Sequence, residues 1–412
     1  MKRLRAIILL VLLTASWACQ AERLKCVDID SYDHVNYDVC YLQFPARHHR
    51  FEALYRKIEH IRRGGTGVVN ILHVGGSHVQ AGVMSHRLRC DFGQMMPGRP
   101  QSRGLMFPFR AVRTNAPRDY EFSPSGIWKG VRCLDRTLSC PLGLSGAAAV
   151  ACSEDCALDL SVDSAFAFQR LRVLGEARGG EVRPYMVTTA ADTLWAETDG
   201  GDYLFAFPQP VSECSLCFDG LQGDSIQFVL RGVWPERDGV GMTYTGCGIN
   251  GAAVPSWLRC ELFTEELGRL CPPNLVIFGI GINDANIMST KFSAEAFKEN
   301  YRELINGILR VSPNAAFLFV TNNDCWLRVG KRRHVYNANG PVVEQAMTEL
   351  ALEFNGAVFN QFQVMGGLGS SREWVMAGLM NRDHVHFLSS GYQLMADLIY
   401  NAFVQDYNDY IR

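Results

Sequence analysis

The spacing of apolar and polar positions divides this chain into three stretches. Val68-Val69-Asn70-Ile71-Leu72-His73-Val74 is a compact β-rich run that stops at Gly75-Gly76, the pattern of a buried strand, and a helix-compatible stretch starts at Val83-Met84-Ser85-His86-Arg87-Leu88. Between about 106 and 237 the period falls to two. Leu158, Leu160 and Val162 alternate with polar residues, as do Leu171 and Val173 with Arg170 and Arg172, and Ile226, Phe228 and Leu230 with their neighbours. That is the signature of half-buried strands, with no convincing helix among them. Beyond 238 the longer period returns. Residues 274–279 read as a buried strand, Phe297, Tyr301, Leu304, Ile305 and Ile308 line one helical face, and 316–320 and 357–359 are further apolar runs. Pro341 opens another helix, and Leu394, Leu398, Ile399 and Ala402 mark an amphipathic stretch that begins at Ser389-Ser390-Gly391-Tyr392.

This order predicts an α/β protein: a doubly wound, mainly parallel sheet in a three-layer sandwich, formed from residues 22–105 and 238–412 and interrupted by an all-β sandwich at 106–237. Pro108 and Pro235-Glu236-Arg237-Asp238-Gly239 bound the insert. No internal repeat or low-complexity segment is visible.

Composition narrows the class. The chain has 412 residues, of which 48% are hydrophobic and 20% charged, enough to build sizeable cores in two domains. A formal charge of -2 leaves no basic footprint for nucleic acid as the main partner. Lys2, Arg3 and Arg5 precede an apolar run from Ala6 to Leu13 and a small-residue region, so 1–21 reads as an export leader, cleaved after Ala18 or Ala21. Cys19 offers an alternative, lipid-anchored start. The expected location is periplasmic, outer-membrane-associated or extracellular. The fourteen cysteines fit an oxidising compartment, and Cys133, Cys140, Cys152, Cys156, Cys214 and Cys217 are expected to form loop-stapling disulfides of unassigned pairing. A zinc site from Cys152, Cys156, Cys214 and Cys217 is the lesser reading. Nothing demands a metal or cofactor, and the oligomeric state is open.

The candidate chemistry lies in four short motifs: Gly75-Gly76-Ser77-His78, Gly248-Ile249-Asn250-Gly251, Gly281-Ile282-Asn283-Asp284 and Asp383-His384-Val385-His386. Singly, each is ordinary turn chemistry. Together they supply a nucleophile, donors for an oxyanion and a base. Ser77 follows a strand end. Asp383 and His386 are three apart in a loop, an offset that lets the carboxylate hold the imidazole in the tautomer that accepts the serine proton. Gly251, without a Cβ, can bring its N–H close to a substrate, and the Asn283 amide is a neutral donor. His384 is expected to point elsewhere. The set reads as a serine esterase.

The motif order resembles the SGNH superfamily of GDSL-type hydrolases. The resemblance makes Ser77 the nucleophile and an oxyanion donor, Gly251 and Asn283 the other oxyanion donors, and Asp383 with His386 the remainder of a catalytic triad. One position departs: Gly76 stands where the first block usually has an aspartate that braces the site. Ser77 to Gly82 resembles the Ser-His variant of bacterial envelope polysaccharide esterases. Ser77 and Gly251 are 174 residues apart, far beyond a single βαβ connection. A β insert there resembles peptidoglycan O-acetylesterases, in which it is a carbohydrate-binding-like module; Met365 to Ser370 and on through Trp374 looks similar too. The expected activity is removal of O-acetyl groups from an acetylated polysaccharide. An O-acetyltransferase with the same acyl-serine, and a catalytically weakened glycan-binding protein, are the alternatives. Trp128, Trp195 and Trp234 are candidates for stacking on sugars if exposed.

Overall fold

The computed structural model describes residues 23–330 and 333–412, so the expected leader at 1–21 and Cys19 lie outside the described residues. Apolar runs that are hydrophobic on both faces need cover on both, which is what a parallel sheet between helices provides. Val69–Gly75, Met242–Gly248, Leu275–Gly279, Ala316–Val320 and Ala357–Phe359 form such a sheet. Its seven-stranded order among the described residues is Leu42–Gln43, Ala357–Phe359, Ala316–Val320, Leu275–Gly279, Val69–Gly75, Met242–Gly248, Gln101–Ser102. All neighbours are parallel except Leu42–Gln43, an antiparallel edge strand of two residues.

The strand period of two sends alternate side chains into separate cores. Ile71, Ile277, Leu318 and Phe359 face the helices His49–Arg62, Val83–Gln94 and Ser389–Tyr410. Leu72, Val74, Val276, Phe278, Phe317 and Phe319 face Phe263–Leu270, Ala294–Val311 and Gly340–Phe354. Ala294–Val311 begins where Ser293 Oγ accepts the Ala296 N–H at 3.2 Å, and its buried stripe is the one read from the sequence. On the other face, Asn408 and Asn401 of Ser389–Tyr410 strap down the segment at the start of the described residues. Asn408 exchanges two hydrogen bonds with the Leu24 backbone (2.9 and 2.8 Å) and Asn401 two with Val27 (2.8 and 2.9 Å).

Between Gln101–Ser102 and Met242–Gly248 the described chain builds a five-stranded and a six-stranded antiparallel sheet, from Tyr120–Ser125 to Gln227–Glu236. They share one core, with Phe218 of the smaller sheet meeting Phe228 of the larger at 4.8 Å between ring centroids. That core is continuous with the second face of the parallel sheet. Two buried ion groups tie the parts together. Arg89 and Arg103 converge on Asp119 (2.7 and 3.0 Å), and Arg231 meets Glu266 at 2.8 Å, while Glu266 also accepts the Leu144 N–H at 2.7 Å.

Two expectations change. None of the thirteen described cysteines is bonded to another. Cys214 and Cys217 are three apart on one strand and so lie on opposite faces, and the thiols of Cys152 and Cys156 donate to the carbonyls of Val150 and Ile127 (3.3 and 3.2 Å). Most of these cysteines act as small buried apolar residues. The described residues contain no group of three or more His, Cys, Asp or Glu side chains placed to hold a metal. Trp128 and Trp234 are buried, whereas Trp195 is 47% exposed. No described helix is long and apolar enough to cross a membrane.

Candidate active site

Three glycines lie abreast at the carboxyl end of the parallel sheet. Gly75 pairs in register with Gly248 on one side and Gly279 on the other, so three motif loops leave the sheet at one level. The row has to lack side chains. A Cβ on Gly75 would stand 2.2 Å from Val79, and one on Gly248 would stand 2.4 Å from the Gln80 nitrogen, because the short helix Ser77–Gln80 sits directly on this edge. Chain order reverses here, since Val69–Gly75 lies between strands that both come later in sequence. Open α/β sheets bind ligands at such switch points.

Ser77 opens that helix, where backbone N–H groups have no intrahelical acceptor. Its Oγ is 2.9 Å from His386 Nε2, and His386 Nδ1 is 2.8 Å from Asp383 Oδ2. The other Asp383 oxygen accepts the N–H groups of Val385 and His386 at 2.9 and 3.0 Å, which folds the loop around its own carboxylate. Partial burial pushes the Asp383 pKa up, but the His386 ring and these amides outweigh it and hold it below the usual carboxylate value. All three side chains remain partly open to solvent.

Gly251 is exposed at φ +80°, with nothing within 4 Å of where a Cβ would be. Asn283 donates from Nδ2 to the Ala252 carbonyl at 2.9 Å, which leaves its second amide hydrogen for another acceptor. A Cβ on Gly76 would lie 3.2 Å from Asn283 Nδ2 and 3.4 Å from the Ala252 oxygen, so the residue before Ser77 abuts both motif loops. Gly76 thus occupies a tight place. Bracing comes from Asp284 instead, whose two carboxylate oxygens accept the Val254 N–H (3.2 and 3.1 Å) and tie the Asn283 loop to the Gly251 loop. Burial raises the Asp284 carboxyl to about 6.

Several supporting residues had no role read from the sequence. His78, buried, hydrogen-bonds through Nδ1 to Tyr392 Oη at 2.9 Å and joins the Ser77 helix to Ser389–Tyr410. Burial, with the nearby His386, lowers its pKa to about 3, so it places no charge behind the His386 ring 5.5 Å away. Gln80 accepts the Asn250 N–H at 2.6 Å and donates to the Asn115 carbonyl at 2.7 Å. His384 adopts φ +55° and stacks on Trp326, ring centroids 3.6 Å apart and planes 3° from parallel, on a two-stranded hairpin the periodicity did not reveal. Apolar alternation is the signal for strands, and Trp326–Arg328 with His334–Tyr336 is too short and too basic to show it.

A serine hydrogen-bonded to an imidazole that is itself held by a carboxylate, next to amide donors, can carry out acyl transfer. No family model matches the sequence, and no curated protein matches it. A solved structure described as a peptidoglycan O-acetylesterase is similar in fold, with a TM-score of 0.72 at 17% identity over 89% of this chain and 99% of that chain. Coverage that wide takes in the antiparallel sheets as well as the parallel one. An acetyl xylan esterase (TM-score 0.30, 16% identity, 40% of this chain and 82% of that chain) and a family two carbohydrate esterase from Cellvibrio japonicus (0.27, 10%, 71% and 99%) align far less well. The likeness to the peptidoglycan O-acetylesterase structure is one of fold.

Proposed function

We propose that this chain is an exported serine esterase that removes O-acetyl groups from a cell-envelope or other polysaccharide through an acyl-serine intermediate. The observation that carries the reading is the hydrogen-bonded series Ser77, His386, Asp383, which comes together at the carboxyl end of the parallel strands from parts of the chain 309 residues apart. In this mechanism Ser77 Oγ attacks the acetyl carbonyl carbon and His386 Nε2 takes its proton. Asp383 stabilises the imidazolium. The oxyanion forms hydrogen bonds with the Asn283 amide and the N–H groups of Gly251 and Ser77. Collapse releases the sugar hydroxyl, protonated by His386, and water then frees acetate by the same route. The leader-like segment 1–21 supports export, and the fold of the peptidoglycan O-acetylesterase structure supports an acetylated glycan as substrate.

The test is acetate release from O-acetylated peptidoglycan and O-acetylated plant glycans, side by side, with an aryl acetate as small substrate. Ser77→Ala and His386→Ala should each lower aryl acetate turnover by about a thousandfold or more, and the double variant should be little worse than either, because the residues act as one unit. Near wild-type turnover in folded Ser77→Ala would rule out the acyl-serine route.

A further inference from the structure

We propose that the hairpin Trp326–Arg328 and His334–Tyr336 is an arm that binds anionic groups, carboxylate or phosphate, on the polysaccharide being deacetylated; that it serves a substrate rests on the esterase reading above. The hairpin is rooted on both sides of the candidate site. At one root Asn323 Nδ2 donates to the Val385 carbonyl at 3.1 Å and the Trp326 N–H to the His384 carbonyl at 3.3 Å, both within the loop of Asp383 and His386. At the other root Asn337 and Asn339 donate to the Ala285 carbonyl (3.0 and 2.8 Å), at the end of the short helix carrying Asn283. A glycan with its acetyl ester at Ser77 therefore has this arm beside it.

Strand register sorts the arm's side chains. Trp326 is opposite Tyr336 and Arg328 opposite His334, so all four share one face, while Leu327 and Val335 take the other. Tyr336 is 51% exposed, and Arg328, Arg333 and His334 are exposed as well. The stretch from Trp326 to Tyr336 contains no Asp or Glu, although the chain as a whole carries a net charge of -2. Asp324, just before it, is turned inward and accepts the Ser371 N–H at 2.9 Å. Guanidinium groups bind carboxylate and phosphate in forked geometry, and an adjoining phenol and imidazole offer faces to sugar rings. Arg328 shares its face with the phenol and imidazole, and Arg333, one residue before His334, takes the other face. Exposed arginines on an arm rooted in the loop of Asp383 and His386, on an otherwise slightly acidic protein, favour an acidic polymer over a neutral one.

The test uses the full chain with Ser77→Ala, titrated with polygalacturonate (carboxylate), poly(glycerol phosphate) and neutral xylan at low and at moderate salt. Polyanion binding should exceed xylan binding and weaken with salt. Arg328→Gln with Arg333→Gln should weaken it by roughly fivefold to thirtyfold, and Arg328→Lys with Arg333→Lys should restore much of the loss, with circular dichroism unchanged throughout. Whichever of the two polyanions binds more tightly identifies the anion; equal binding of both assigns the arm to negative charge in general. In otherwise wild-type enzyme the Gln pair should raise KM for an acidic acetylated glycan and leave kcat largely as it was. Equal affinity for charged and neutral polymers, or polyanion binding indifferent to the Gln pair, overturns the proposal. Retained polyanion binding with no acetate release by wild-type protein from any ester overturns the esterase reading and leaves the arm a polyanion-binding element.

Discussion

Asp284 shows how one side chain sets the spacing of two loops that are far apart in sequence. It lies in the third motif beside Asn283, yet its contact is with Val254 beyond the second motif, so it fixes the distance between the Asn283 and Gly251 loops. The arrangement has a pH signature. Burial raises the folded-state pKa to about 6, above an unfolded value near 3.9, so folding favours the neutral acid. Its contribution to stability is complete below the unfolded value and is lost as the pH rises through about 6. Asp284→Asn, which still accepts the Val254 N–H, should therefore gain in Tm relative to wild type between pH 4 and pH 8. A Tm difference that does not change over that range would show that the carboxyl is not held this way. The motif letters were legible in the sequence at this scale, but the partner was not, because Val254 is an unremarkable apolar residue whose backbone does the work.

Elements were legible in proportion to how strongly burial patterned them. The strands Val69–Gly75, Leu275–Gly279 and Ala316–Val320 and the helix Ala294–Val311 announce themselves because each buries a continuous run or stripe. The edge strand Leu42–Gln43 has two residues and no pattern, and the hairpin at Trp326 is held by stacking and backbone hydrogen bonds rather than by an apolar face. That hairpin changes the expectation for His384. The residue points away from Ser77, as its place in the loop implied, but its flat contact with Trp326 anchors the loop that presents Asp383 and His386. His384→Ala loses the stack and leaves a Cβ-bearing residue at positive φ. It should cost about threefold to tenfold in aryl acetate kcat, against a thousandfold or more for His386→Ala. If His384→Ala proved as damaging as His386→Ala, the division of roles between the two histidines would have to be redrawn.

At the scale of the whole molecule the sandwich and the parallel sheet share one continuous core, so they are one packed body rather than two joined by a tether. The 174-residue gap between motifs implied an insert but gave no sign of this, because contacts between distant segments leave no local period. The junction at Asp119 is the sharpest case. Its carboxylate is buried, a cost that alone would raise its pKa, but Arg103 and Arg89 hold it well below the usual range, and their own side chains are 3% and 1% exposed. Asp119→Asn leaves two buried cations facing each other without a counter-charge and should destabilise the fold by roughly 3 kcal/mol. Urea melts read this directly as a lower midpoint at unchanged slope, and a midpoint within error of wild type would mean that the guanidinium groups find other compensation.

The same connectivity dictates when the site comes into being. Ser77 and its helix are made early, whereas His386 arrives 309 residues later, after both antiparallel sheets have been synthesised and threaded between the halves of the parallel sheet. Its loop leads directly into the helix Ser389–Tyr410, which docks through Arg87 to Asp397 at 2.6 Å and clasps the segment at Leu24 and Val27 through two asparagines. Long-range closure of this kind is late and slow in folding. An unfinished chain therefore carries Ser77 without its imidazole partner, and the hydrogen-bonded series is complete only after this last helix has been made and packed.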